Sequence, residues 1–203
     1  MLNRQALHPV CTNFVGFDGP DGQRRVRIGE LPATTWFQLG VHPGGATEVA
    51  ACWLSRFGFA LPESATRVTE SAGRRMYRVA PDQYFLAGFS RADMMQLDAA
   101  LPLAAGGLTD LCGARIALHV SGASARELLS QLVTVDLDPV TFPIGHFAQT
   151  GIHHVGGLLE RTGPETYIYL GLRTYAQTLW EALVDAARPM GCDALSAEAT
   201  SHV

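Results

Sequence analysis

The same order of elements occurs twice along this 203-residue chain, and that repetition limits the folds open to it more than any single motif. In the first pass, residues 24–41, RRVRIGELPATTWFQLGV, read as strand material around a break at Leu31–Pro32. Gly44 and Gly45 turn the chain, and a helix opens near Thr47. Val49, Cys52, Trp53 and Arg56 fall near one stripe, its apolar members facing a core. Leu61–Pro62 is expected to stop that helix. Residues 65–79, ATRVTESAGRRMYRV, predict two strands about the turn Ser71–Gly73. Pro81–Asp82 turns into the strand QYFLAGF. Ser90 then caps a short helix, RADMMQLDAAL, ahead of Pro102.

The second pass opens with ARIALHVSG, where Ile116, Leu118 and Val120 alternate with Arg115, Ala117 and His119 as in a half-buried strand. Ser124 and Glu127 are spaced for a capping box, and Leu128, Leu129 and Leu132 line one helical face. A punctuated stretch follows, VDLDPVTFPIGHFAQTG. Then FAQTGIHHVGGLLERTG and ETYIYLGL predict paired strands about Thr162–Glu165. The clearest helix comes last. Tyr175, Leu179, Trp180, Leu183 and Ala187 recur at helical spacing before Pro189–Met190–Gly191. The junctions also agree, LGVHPGGATEVAACWL beside LHVSGASARELLSQL. The expected architecture is α+β, two related strand-helix-strand halves. Its expected boundaries are an N-terminal arm at 1–22, halves at 23–110 and 111–191, and a tail at 192–203.

Composition removes several chemistries. All 15 basic residues are arginine, so there is no Schiff-base lysine and no GxxxxGK[ST] phosphate loop. The net charge of -4 does not mark a nucleic-acid binder. Arginines cluster at Arg24, Arg25 and Arg27 and at Arg74, Arg75 and Arg78, either as solvated strand edges or as a basic face for an anion. Cys11, Cys52, Cys112 and Cys192 are scattered, with no CxxC, which argues against a structural zinc site. No apolar run is long enough for a secretory signal or a membrane helix, so a cytoplasmic protein with reduced thiols is expected.

The search for catalytic groups is negative. His153 and His154 are expected on a strand, pointing to opposite faces, and His119 sits between apolar neighbours. No HExxH, GxSxG or strand-following GxGxxG occurs. Cys112 lacks a basic partner that sequence can place. Asp110, Asp136 and Asp138 are available as acids or bases, the last two suiting a loop edge as well as a site.

The second half, IALHVSGASARELLSQLVTVDLDPVTFPIGHFAQT, resembles the gamma subunit of heterotetrameric sarcosine oxidase. The family's D-L-x-P-x-x-F-P-x-G loop is met by Asp136, Leu137, Asp138, Pro139, Phe142, Pro143 and Gly145. Its start to the last helix is met by Arg173, Tyr175, Ala176 and Trp180. FGFALP and RVAPDQYFLAG resemble first-half segments. Two departures stand out: Asp138 where the family often has His, and Gln83–Tyr84 where Glu–Trp is common. The resemblance covers roughly Val26 to Ala187.

That family is similar to the folate-binding aminomethyltransferases, which implies their fold. In those enzymes an aspartate near the folate assists transfer, whereas HHVGGLLERTG here offers Glu160 and no aspartate. The resemblance implies a non-catalytic, structural subunit that binds no cofactor itself. Its partners would be alpha, beta and delta subunits carrying FAD, FMN, NAD, zinc and tetrahydrofolate. The complex would oxidise sarcosine to glycine, with hydrogen peroxide and 5,10-methylenetetrahydrofolate or formaldehyde as products. Two other readings compete: a free-standing folate-binding or aminomethyltransferase-like protein using Glu160 and the arginine clusters, and a domain binding one unrelated protein.

The punctuated stretch has two readings of its own. Pro139 and Pro143 fix φ and restrict the residues before them, and Gly145 can take angles others resist. Leu137, Phe142 and Ile144 are expected to pin it to the core. It is either a rigid corner or a preformed partner-docking edge built on Asp138, Pro139, Phe142, Pro143, Gly145 and His146.

Overall fold

The structure is a computed structural model and describes residues 15–31 and 35–195. The remaining parts of the expected arm and tail, and the Pro32 break, lie outside the described residues. The chain forms two compact units, one from residues 34–112 and one from 1–33 with 113–203.

The 34–112 unit holds five strands and two helices among the described residues. They are β3 (Trp36–Val41), α1 (Ala46–Phe57), β4 (Thr69–Ser71), β5 (Arg74–Ala80), β6 (Gln83–Ala87), α2 (Arg91–Ala100) and β7 (Gly106–Asp110). The sheet order is β4-β5-β6-β3-β7. Its core gathers Leu39, Val49, Trp53, Met76, Leu86, Phe89 and Leu97. The Trp53 ring meets Phe57, Phe59 and Phe89 at 4.4–5.9 Å between centroids, and each such pair contributes about 0.5–1.5 kcal/mol beyond simple burial.

The other unit is built from β1 (Val15–Phe17), β2 (Val26–Glu30), β8 (Arg115–Ser121), α3 (Ala125–Ser130), β9 (Phe147–Ile152), β10 (Val155–Gly163), β11 (Thr166–Leu172), α4 (Ala176–Ala187) and β12 (Cys192–Leu195). Its seven strands are ordered β1-β12-β2-β8-β11-β10-β9. Ile28, Leu118, Val120 and Tyr167 from the sheet meet Leu128, Leu129, Leu179 and Leu183 from α3 and α4 in one core. Strand β8 alternates buried and half-buried positions along its whole length, as its sequence requires.

The two units repeat strand, helix, three strands, helix, strand, and the expected α+β pairing of related halves holds. The boundaries differ. Strand β2 does not belong with the first half, because it pairs antiparallel with β8 and parallel with β12. Part of the expected arm is β1, paired with β12, and the start of the expected tail is β12 itself.

Local corrections have local causes. Helix α1 ends at Phe57 rather than at Leu61–Pro62, because Gly58 takes φ 75° and donates to the Leu54 carbonyl. Strand β7 was not expected, since its Gly-Gly start reads as a turn. It pairs with β3 along Phe37–Val41. His153 and His154 lie not on a strand but in the two-residue turn between β9 and β10, with φ of 47° and 66°. Tyr175 is exposed, on a 3₁₀ turn ahead of α4. Ser124 makes no side-chain cap, because its backbone (φ -105°, ψ 14°) is not extended. Ser90 does cap α2, accepting the Asp93 N–H at 3.0 Å.

Candidate functional site

Five of the six clustered arginines face partners within their own units, and Arg27 is exposed. Arg24 pairs with Asp18 and Asp193 at 2.7 and 2.6 Å, and Arg25 with Asp21. Arg74 pairs with Asp93 at 3.3 Å and lies over the rings of Phe57 and Phe89. Arg75 stands 3.6 Å from Glu70. These ion pairs engage the guanidinium groups of Arg24, Arg25, Arg74 and Arg75.

The catalytic candidates fall in both units: Asp110 and Cys112 in one, His119 and Glu160 in the other. Cys112 Sγ approaches the Trp36 N–H at 3.3 Å, and burial pushes its thiol above the usual range, away from the reactive thiolate. Asp110 accepts from the Cys112 N–H and from Arg91. On the half-buried face of β8, burial and then the charge of Arg27 hold His119 below its usual pKa. Glu160 is buried on β10. Among the described residues, no group of three or more His, Cys, Asp and Glu side chains could hold a metal ion.

The punctuated loop is better organised. It leaves α3 through Val133 and turns through two Asx turns. Asp136 Oδ1 accepts the Asp138 N–H at 3.0 Å, and Asp138 Oδ1 accepts the Val140 N–H at 2.9 Å. Phe142 N–H donates to the Asp138 carbonyl at 2.7 Å. Leu137 and Phe142 are buried in the core. Gly145, at φ 80°, reverses the chain and donates to the Arg161 carbonyl at 2.8 Å, while Arg161 N–H donates to the His146 carbonyl at 3.0 Å. Asp138 and Pro139 are exposed, Pro143 and His146 half-buried. One expected anchor is not an anchor: Ile144 is 52% exposed, and Val140 at the tip is 89% exposed.

A residue that was not singled out from sequence holds this loop. The Arg161 side chain is only 6% exposed. It donates Nη1–H to the Phe142 carbonyl at 3.0 Å, Nε–H to the Gly163 carbonyl at 3.2 Å and Nη2–H to the Pro164 carbonyl at 2.7 Å. Its guanidinium also lies 5.9 Å from the centre of the Tyr167 ring. A buried guanidinium is costly unless its donors find acceptors in fixed positions, so loop and hairpin are locked together.

The 34–112 unit repeats the device. Arg78 donates to the Glu63 carbonyl at 2.8 Å and the Pro81 carbonyl at 3.1 Å. Each arginine stands opposite a tyrosine, Arg78 with Tyr84 and Arg161 with Tyr167, and each is followed by an irregularity in the strand pairing. The sequence carried the signal as RVAPDQY at 78–84 and RTGPETY at 161–167, a repeated R-x-x-P-acid-x-Y. Arg78 also lines an open cavity of about 560 Å³ with Leu54, Leu61, Pro62, Asp82 and Tyr84.

Comparison with solved structures places this paired architecture. The chain is similar in fold to the glycine cleavage system aminomethyltransferase T from Bartonella henselae (TM-score 0.56, 15% identity, 92% of this chain and 55% of that one). The fold class is therefore that of the aminomethyltransferases. The model of the sarcosine oxidase, gamma subunit family matches residues 44–189, a span that includes both arginine motifs and the loop. The chain belongs to that family. Its relatives include sarcosine oxidase subunit gamma of Corynebacterium sp. strain U-96, 26% identical over 81% of this chain and 80% of that protein. The counterpart from Arthrobacter sp. is 28% identical over 73% and 74%. A chain of the heterotetrameric sarcosine oxidase from Corynebacterium sp. U-96, solved with pyrrole 2-carboxylate, superposes with a TM-score of 0.74 at 27% identity, covering 82% of this chain and 85% of that one.

Proposed function

We propose that this chain is the non-catalytic, structural gamma subunit of a heterotetrameric sarcosine oxidase-type flavoenzyme. The complex oxidatively demethylates sarcosine to glycine, with hydrogen peroxide and 5,10-methylenetetrahydrofolate or formaldehyde as the other products. The observation that carries this reading is the family match over residues 44–189. The stretch HHVGGLLERTG supports the non-catalytic part, since it offers Glu160 where the aminomethyltransferases use an aspartate. FAD, FMN, NAD, zinc and tetrahydrofolate belong to the alpha, beta and delta partners. The complex is read as cytoplasmic; no helix among the described residues is long and apolar enough to cross a membrane. A free-standing folate-binding or aminomethyltransferase-like protein is the other reading, and the family match does not favour it.

The test is co-expression of a tagged chain with its genomic neighbours, then affinity purification and an absorbance spectrum. A yellow complex that consumes oxygen with sarcosine is expected. A colourless single chain, with tetrahydrofolate bound in a fluorescence titration, would overturn the reading in favour of the free-standing one.

A further inference from the structure

We infer that the loop from Asp136 to His146 is the docking knob of this chain, that Arg161 is its positioning residue, and that it seats in an apolar socket with a basic rim on a larger subunit of the complex. The inference rests on the subunit reading above and adds to it the surface and the chemistry of the partner.

Three observations converge on this loop. The first is where apolar surface is exposed. Among the described residues of the 1–33/113–203 unit, the exposed large apolar side chains are Val140, Ile144 and Tyr175, and two of the three stand on this loop. The second is rigidity. A loop pinned by Leu137 and Phe142 below and by a buried guanidinium at the Phe142 carbonyl has little conformational freedom left to lose on binding. Exposed apolar side chains at the tip of a loop held this firmly are the form expected of a preformed anchor. A corner needs the two pins but has no use for an exposed Val140 and Ile144.

The third observation is charge. Asp136 and Asp138 lie on the approach to the tip, just before Val140, and are exposed. Each lends one oxygen to an Asx turn, so the carboxylates are held in place beside the apolar tip. The Arg161 guanidinium, which holds the Phe142 carbonyl, is buried. The knob therefore presents an apolar tip beside two fixed negative charges. Its complement is an apolar socket bordered by arginine or lysine.

The test uses the assembled complex. Tagged wild-type chain, a Val140→Asp/Ile144→Asp variant, an Asp136→Asn/Asp138→Asn variant and an Arg161→Gln variant are each co-expressed with the oxidase subunits. The flavin captured per chain and the dissociation constant are then measured at low and high salt. The tip variant is expected to bind at least about 30-fold more weakly, with the thermal unfolding midpoint of the free chain unchanged. Asparagine preserves both Asx turns, so the Asp136→Asn/Asp138→Asn variant should fold normally, bind a few-fold more weakly and lose most of the salt dependence. Arg161→Gln should weaken binding and make the loop sensitive to limited proteolysis. A Val140→Ser/Ile144→Ser variant serves if the aspartates impair folding.

Wild-type binding by the tip variants, with flavin still captured, would overturn the knob and leave the subunit reading standing. Salt dependence equal to wild type in the asparagine variant would overturn the basic rim. Failure of the wild-type chain to capture any flavin subunit would overturn both readings together.

Discussion

The two units of this chain use one plan and close it differently. In the 34–112 unit the last strand, β7, pairs directly with the first, β3. In the other unit that place beside β8 is taken by β2, and β12 is displaced one strand outward to pair in parallel with it. Their arginine clamps differ in the same sense. Arg161 is buried and holds three carbonyls, whereas Arg78 is half-buried, holds two and borders an open cavity. The same device is buried in one unit and lies nearer the surface in the other.

The comparison is most directly broken through the two arginines. Arg161→Ala leaves the Phe142, Gly163 and Pro164 carbonyls without the donor that now satisfies them. Its expected cost is about 3 kcal/mol, in the range for disrupting a buried charged network. Arg78→Ala exposes its two carbonyls to water and should cost about 1 kcal/mol. Urea denaturation of both variants measures the difference. Equal costs would mean that burial does not separate the two clamps.

The second contrast lies in the two-residue turns that precede each clamp strand. Ala72–Gly73 joins β4 to β5 with φ of 50° and 74°, and His153–His154 joins β9 to β10 with φ of 47° and 66°. Such turns favour glycine at the second position, because a side chain there is strained in the left-handed region. His154→Gly should therefore stabilise the chain by about 1 kcal/mol, and Gly73→Ala should destabilise it by a similar amount. Thermal unfolding of the pair tests this. A destabilised His154→Gly chain would show that the imidazoles contribute more than the strain costs.

Much of this was legible in the sequence, and the rest was hidden for physical reasons. Alternation in ARIALHVS and the leucine stripe of α4 gave elements that tertiary packing had no reason to override. The order of elements gave the paired fold. The place of β2 could not be read, because pairing with β8 and β12 joins segments about 90 and 165 residues apart and local pattern carries no such information. Ile144 looked like an anchor because apolar character alone does not say which way a loop side chain points. Arg161 was missed because a buried arginine is expected to find a carboxylate, and here carbonyls of the folded loop take that part. RVAPDQY and RTGPETY would have disclosed it had they been aligned.

The smallest expected effect concerns how the second helix of each unit begins. Helix α2 has a capped start: the Ser90 hydroxyl donates to Asp93 Oδ2 at 2.7 Å, and Arg56 and Arg74 both pair with the same carboxylate. Helix α4 has no side-chain cap. The hydrogen bond from Ser90, followed by the charges of Arg56 and Arg74, holds the Asp93 carboxyl below its usual value of 3.8 against the opposing effect of burial. A carboxyl depressed in the native state binds its proton more weakly there than in the unfolded chain. Its contribution is therefore complete above the unfolded value and is lost as pH falls through the native one. Asp93→Asn should cost about 0.5 kcal/mol at pH 7, the scale of a partly exposed ion pair. The gap to wild type should close as pH falls through the depressed native value of Asp93, below 3.8. A gap that persists in acid would assign the stability of α2 to its backbone cap alone, and the two helix starts would then differ in hydrogen bonding rather than in charge.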